Sequence, residues 1–199
     1  MVDIFLMNIG HPRTGTGYMT TVYKSLGLEV GHEVLAKEGI SDWAFSFDNC
    51  TSWTTPKYTF ESFNPQYIIY NVRDPWESIA SIKAEKDSLN KRKIYIPELD
   101  NYTGYEQDIF SLLAFDKQIT NNRKVDAIVR IEYPEDFLKI DFLPKLPIEK
   151  YPTKVYNSRS HGRMTPKDWL SISPELIEEL DKYCIKYGYP TISSWVKCF

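Results

Sequence analysis

Residues Ile4 to Leu26, IFLMNIGHPRTGTGYMTTVYKSL, contain the change of period on which the fold turns. An apolar run (Ile4, Phe5, Leu6, Met7, Ile9) gives way to a loop with Gly10, Gly15 and Gly17. Met19, Val22, Tyr23 and Leu26 then follow at helical spacing, so the stretch reads as strand, glycine loop, helix. Glycines let the backbone approach a ligand, loop N–H groups can converge on it, and the positive end of the helix dipole attracts an anion. Arg13 adds a cation, and Thr14 and Thr16 add hydroxyl donors. This is the layout of a phosphate cradle; the competing reading is a structural turn. The common nucleotide loop ends in Gly-Lys-Ser/Thr so that its hydroxyl can hold magnesium. Here Gly15-Thr16 is followed by Gly17, and the cation stands two residues before Gly15.

A chain of 199 residues suits one domain spanning 1–199. The formal net charge of −3, with both signs mixed, argues against a nucleic-acid partner. Cys50, Cys184 and Cys198 are widely spaced and lack paired histidines, which suggests neither a disulfide framework nor a zinc site and fits a reducing cytoplasm. No apolar run is long enough to span a membrane, and the first one enters the glycine loop without a basic start or cleavage signal. A cytoplasmic protein is expected.

Downstream, Gly27-Leu28-Glu29-Val30-Gly31-His32-Glu33 is a short extended stretch ending in two ionisable residues. Parallel strands collect their ends on one edge, where ligands bind, so His32 or Glu33 could face the loop and act as a general base. A solvated carboxylate and a backbone-satisfied histidine are the plainer alternative. Residues 39 to 65 lack a period but carry Trp43, Phe45, Phe47, Trp53, Tyr58, Phe60 and Phe63. Such a segment either folds over the site and lines it or packs beneath a long loop.

A second anion site is suggested by YIIYNVRDPWESIASIK, Tyr67 to Lys83. Tyr67, Ile68, Ile69, Tyr70 and Val72 form a near-continuous apolar strand of the buried parallel kind. Asp74 can cap the following helix, with Pro75 at its first position and Glu77 closing a capping box. Arg73 stands at the junction and Ser81 further along the helix; a guanidinium suits phosphate because it bonds bidentately. The alternative is an arginine pairing with Asp74 or Glu77.

Taken together, these motifs resemble the sulfotransferase superfamily, whose donor is 3′-phosphoadenosine 5′-phosphosulfate (PAPS). Gly10-His11-Pro12-Arg13-Thr14-Gly15-Thr16 is similar to its first motif, and Arg73 with Ser81 eight residues later to its second. Gly-Leu-Glu-Val-Gly-His-Glu looks like the segment after the first helix in small bacterial-type members, which carries a candidate base. Gly39 and Trp43 fall where such members often have a Gly and a Trp, and Trp43 is the expected acceptor contact. The resemblance implies an α/β, P-loop-type three-layer fold with a central parallel sheet flanked by helices. It also implies a single sulfotransferase-like domain that uses PAPS as co-substrate, releases 3′-phosphoadenosine 5′-phosphate (PAP) and requires no metal.

The nucleotide contacts it implies are Pro12, Arg13, Thr14, Gly15, Thr16, Gly17, Tyr18, Arg73 and Ser81. The Arg-Lys-Gly signature of the cytosolic steroid and phenol enzymes is missing, which leaves Arg159 and Arg163 in the polar run Tyr156–Arg163 as candidates for the far side of the nucleotide. Glu33 first and His32 second are the expected bases, with Arg13 stabilising charge. The acceptor is a small molecule, carbohydrate or lipid bearing a hydroxyl or amine. The alternatives are a P-loop phosphotransferase, for which neither a Lys-Ser/Thr nor an uncluttered acid ending a second strand is evident, and a noncatalytic nucleotide-binding protein.

The remainder reads as scaffold. Tyr105 to Arg123 is an amphipathic helix with Ile109, Leu112, Leu113 and Ile119 on one face, and Ala127 to Ile131 a buried strand. Lys83 to Asn101 reads as a helix end with a mobile loop. Ser173 and Pro174 open a last helix, with Leu176, Ile177, Leu180 and Cys184 inward and Gly188 and Pro190 at its stop. His161 reads as a loop residue.

Overall fold

The computed structural model describes residues 1–52, 54, 56–85, 87–152 and 162–196. Trp53, Arg159, His161 and Cys198 therefore lie outside the described residues. The fold is α/β, and five strands form one sheet in which every pairing is parallel, as the alternation of periods predicts. They are β1 (Val2–Ile9), β2 (Val30–His32), β3 (Gly39–Ser41), β4 (Phe63–Val72) and β5 (Ala127–Arg130), in the order β2-β3-β1-β4-β5. The register sets Leu6 beside Tyr67 and Gly39, and Ile69 beside Ala127.

Helix α1 (Thr16–Ser25) follows β1 directly after the glycine loop. Its Tyr18, Met19, Val22 and Tyr23, with the capping residue Leu26, bury against Leu6, Val30, Ile69 and Val129, and Phe137, Ile140, Leu143 and Tyr151 complete the cluster. Residues three and four apart on α1 thus form the stripe that covers the sheet. β3 passes so close to β1 that a Cβ on Gly39 would lie 1.8 Å from the Leu6 carbonyl oxygen, so only glycine fits there.

The chain divides into two compact units, Met1–Arg73 with Gln118–Ser158, and Asp74–Lys117 with Arg159–Phe199. The first holds the whole sheet. The second contains α2 (Pro75–Lys83), α3 (Leu89–Tyr95), the greater part of α4 (Gly104–Asn122), α6 (Pro166–Leu170), α7 (Pro174–Tyr187) and α8 (Ile192–Val196). The short helix α5 (Glu135–Leu138) belongs to the first.

Three expectations change. β4 starts at Phe63 instead of Tyr67, because the Pro65 backbone still fits the parallel register beside Ile4. Between Leu89 and Asn101, where a mobile loop is expected, α3 and a 3₁₀ turn, Pro97–Asn101, bury Ile96, Leu99 and the Arg92 side chain, which bonds Ser88 and Ser111. At α2, Asp74 accepts from the Trp76 N–H as expected, but Glu77 closes no capping box and pairs with Arg163 at 2.6 Å.

No helix among the described residues is long and apolar enough to cross a membrane. Cys50 and Cys184 are free thiols, both buried.

Candidate functional site

In a parallel sheet the strand ends gather on one edge, and the crevice opens where the winding reverses. Here the chain leaves β1 toward β2 and β3, and leaves β4 toward β5, so the reversal falls between β1 and β4. The glycine loop follows β1, Arg73 follows β4, Glu132 comes just after β5, Asp42 follows β3 and His32 ends β2. All belong to the first unit.

The loop's carbonyl groups are taken up by donors of the protein itself. That of Gly10 accepts from the Ser46 hydroxyl, that of His11 from the Thr14 N–H and hydroxyl, and that of Pro12 from His11 Nδ1, which therefore carries its proton. The Arg13 carbonyl accepts from Arg73 Nη1 at 3.1 Å, that of Thr14 from Asn71 Nδ2, that of Gly15 from the Met19 N–H and that of Thr16 from the Ser41 hydroxyl. Every carbonyl from Gly10 to Thr16 is thus occupied. The first N–H groups of α1 have no intrahelical acceptor, and its cap, Gly15, offers no side chain. A loop with its acceptors bound internally and donors left at a helix start attracts anions and repels cations.

Two φ angles show how far the loop is bent. Gly15 has φ 101°, and a Cβ there would lie 2.8 Å from Ile131 Cδ1, so the turn admits only glycine. Arg13 has φ 73°, the left-handed region, where an L side chain is strained, and the bond from Arg73 holds that peptide. Arg73 does not rest on Asp74 or Glu77 as the plainer reading had it; its Nε stands 3.9 Å from Glu132, a residue no motif singled out.

His32 reaches the loop: its Nε2 lies 3.4 Å from Thr16 Oγ1, and its ring covers Gly17, whose missing Cβ would sit 3.4 Å from Cε1. Burial lowers its pKa, and the charge of Asp42 opposes this in part. The imidazole is therefore neutral at pH 7 and can accept a proton. Glu33 adopts φ 58°, its carbonyl accepts from the hydroxyls of Ser52 and Thr54, and its carboxylate comes within 4.0 Å of His32 Nε2.

The other expected residues divide. Pro12 and Thr14 are buried within the loop. The Tyr18 hydroxyl donates to the Pro152 carbonyl, and burial, helped by Glu132, raises its pKa, so it stays protonated. Trp43, the expected acceptor contact, is only 3% exposed in a 3₁₀ turn from Trp43 to Ser46, so its ring belongs to the core. Among the described rings of the aromatic segment, Phe45 meets Phe63 edge-on at 5.3 Å, and Arg123 lies over the half-buried Phe60. Ser81 is buried in α2, and Arg163, largely exposed, pairs with Glu77; all three belong to the second unit.

Asp42, buried and following the strand next to β1, is an acid at a strand end that no sequence pattern marks, because β3 is too short to advertise its end by periodicity. Its Oδ1 accepts from the Ala44 N–H at 2.9 Å. Among the described residues, no group of three or more His, Cys, Asp and Glu could hold a metal ion.

Comparisons with models of protein families, with curated proteins and with solved structures find no match for the chain.

Proposed function

We propose that this protein transfers the sulfuryl group of PAPS to a hydroxyl or amine of a small-molecule, carbohydrate or lipid acceptor, releasing PAP. The observation that carries the reading is the loop whose carbonyls are all bound from within, bordered by Arg13 and Arg73 and met at Thr16 by a neutral imidazole. In the reaction the acceptor oxygen or nitrogen bonds to sulfur as the bond from sulfur to the 5′-phosphate oxygen breaks. His32 takes the acceptor proton, and Glu33, 4.0 Å away, steadies the imidazolium. The amides at the head of α1 and the Arg13 guanidinium stabilise charge on the sulfonate and the departing phosphate.

A second reading, metal-assisted phosphoryl transfer, is favoured by one observation, the buried Asp42 at the end of the strand beside β1. Calorimetric titration separates the two. PAP binds more tightly than adenosine 5′-phosphate without divalent metal if the donor is the sulfonucleotide. Equal affinity for the two ligands overturns the reading.

A further inference from the structure

Behind the loop runs a connected set of buried polar side chains to which no motif pointed. Asn8 in β1 and Asn71 in β4 are both 0% exposed, where apolar residues would be expected in a central parallel sheet. The Tyr23 hydroxyl donates to Asn8 Oδ1 at 2.9 Å, and burial keeps that phenol protonated. Asn8 Nδ2 donates to both Ser41 Oγ, at 2.9 Å, and Asn71 Oδ1, at 2.7 Å. The branches end on the loop: Ser41 Oγ donates to the Thr16 carbonyl at 2.8 Å, and Asn71 Nδ2 to the Thr14 carbonyl at 2.7 Å and to Thr14 Oγ1 at 3.1 Å. Gly10 is glycine for the same reason, since a Cβ there would lie 2.9 Å from Asn71 Oδ1.

Buried amides are costly unless fully bonded, and an apolar pair of similar shape would hold the strands together as well. The network does something an apolar pair cannot. A trans peptide is planar, with its C=O and the following N–H pointing in opposite directions. Holding back the Thr14 carbonyl aims the Gly15 N–H outward, and holding back the Thr16 carbonyl does the same for the Gly17 N–H. These two amides flank the turn into α1, where an anion would sit.

We infer that Asn8, Ser41 and Asn71 are positioning residues that set the affinity of the loop for a phosphate- or sulfate-bearing ligand by aiming the Gly15 and Gly17 amides. The inference rests on the anion-cradle part of the function proposed above. The test titrates PAP and, separately, inorganic pyrophosphate into wild type, Asn71→Leu, Ser41→Ala and Val129→Ala, and records melting temperatures and the amide NMR shifts of Gly15 and Gly17. Val129, buried in β5 outside the network, reports plain destabilisation.

Asn71→Leu should weaken both ligands about tenfold or more, and Ser41→Ala a few-fold, each shrinking the ligand-induced amide shifts. Val129→Ala should lower the melting temperature while leaving both affinities within about twofold. Wild-type affinities in Asn71→Leu and Ser41→Ala overturn the proposal, as does an equal loss in Val129→Ala. If Asn71→Leu fails to fold, Ser41→Ala, which removes one hydroxyl, decides. If wild type binds pyrophosphate but not PAP, the sulfonucleotide reading fails while the pyrophosphate series still tests the positioning. Binding of neither ligand overturns both.

Discussion

His32 and Glu33 are neighbours in sequence, but the fold gives them different surroundings. In a strand, consecutive side chains point to opposite faces, and the left-handed turn at Glu33, φ 58°, takes its carboxylate off that alternation. On the proposed function His32, with Nε2 3.4 Å from Thr16 Oγ1, is the expected base ahead of Glu33, the reverse of the order read from the sequence. His32→Asn should lower turnover by about two to four powers of ten with PAP affinity nearly unchanged, and Glu33→Gln should be the milder change. Single-turnover transfer checks both, and the opposite ranking returns the role to Glu33.

The pH profile follows from the lowered pKa of His32, whose first cause is burial. kcat/KM should rise with pH and level off above a pKa below the ordinary histidine value of about 6.5. The same shift acts on stability: the unfolded chain takes up the proton first, so stability is full above about pH 6.5 and falls as pH drops through the folded pKa. Arg73 also has a role to decide, since it holds the strained Arg13 peptide. If it only braces the loop, Arg73→Ala weakens PAP and adenosine 5′-phosphate alike; if it also meets the additional phosphate, the preference for PAP narrows, and calorimetry distinguishes the two.

At the scale of elements, the loop and α1 depend on one backbone angle. Gly15→Ala forces a Cβ into both φ 101° and Ile131, and should cost about 1–3 kcal/mol of stability and abolish PAP binding, as read by denaturant titration and calorimetry. Ile131 is itself fixed by the corner from β5 into α5. There Arg130 grips Asp136 with two bonds, at 2.7 and 2.8 Å, and Lys139 adds a third at 3.0 Å. Burial alone would raise the Asp136 pKa, but these partners hold it down to about 2. Its contribution is present above the unfolded value, near pH 4, and is lost as pH falls toward 2; Asp136→Asn should therefore destabilise at pH 7 and much less at pH 2.

The elements were legible in sequence to the extent that they were long. β1, the glycine loop, α1, β4 and α7 follow from period, glycines and caps, and Gly188 ends α7 at φ 72° as its position predicts. β3 was hidden because three residues show no period, and with it went Asp42 and Ser41. Asn8 and Asn71 were hidden differently: a polar residue inside an apolar run looks like an interruption until the register sets both beneath one loop.

At the scale of the molecule, the parallel α/β sheet was foreseeable from alternating periods, whereas the partition into two interleaved units depends on contacts between distant segments that no local pattern encodes. The second unit carries its own pH dependence. Asp108, on α4, is buried, and its Oδ2 has no hydrogen-bond partner among the described residues. Burial pushes its pKa up to about 6, against the pull of Arg92 and Lys83 and with the push of Glu85. A raised carboxyl pKa contributes stability below about pH 4 that is lost as pH rises through about 6. Asp108→Asn should accordingly raise the melting temperature at pH 8 and leave it nearly unchanged at pH 4; destabilisation at pH 8 would show that the carboxylate is needed against Arg92.

In the first unit the carbonyls from Gly10 to Thr16 are all hydrogen-bonded within the protein, and on the proposed function the loop they form receives the sulfonucleotide. The most direct measurement is a thermal melt of the wild-type protein with PAP in the absence of divalent metal, beside a melt with ATP and magnesium. At a hundredfold excess over its dissociation constant a ligand specific to the native state adds about 2.7 kcal/mol, which a melt resolves. Metal-free PAP should give a clear upward shift and ATP with magnesium a smaller one; an equal or larger shift with ATP and magnesium would overturn the sulfonucleotide assignment.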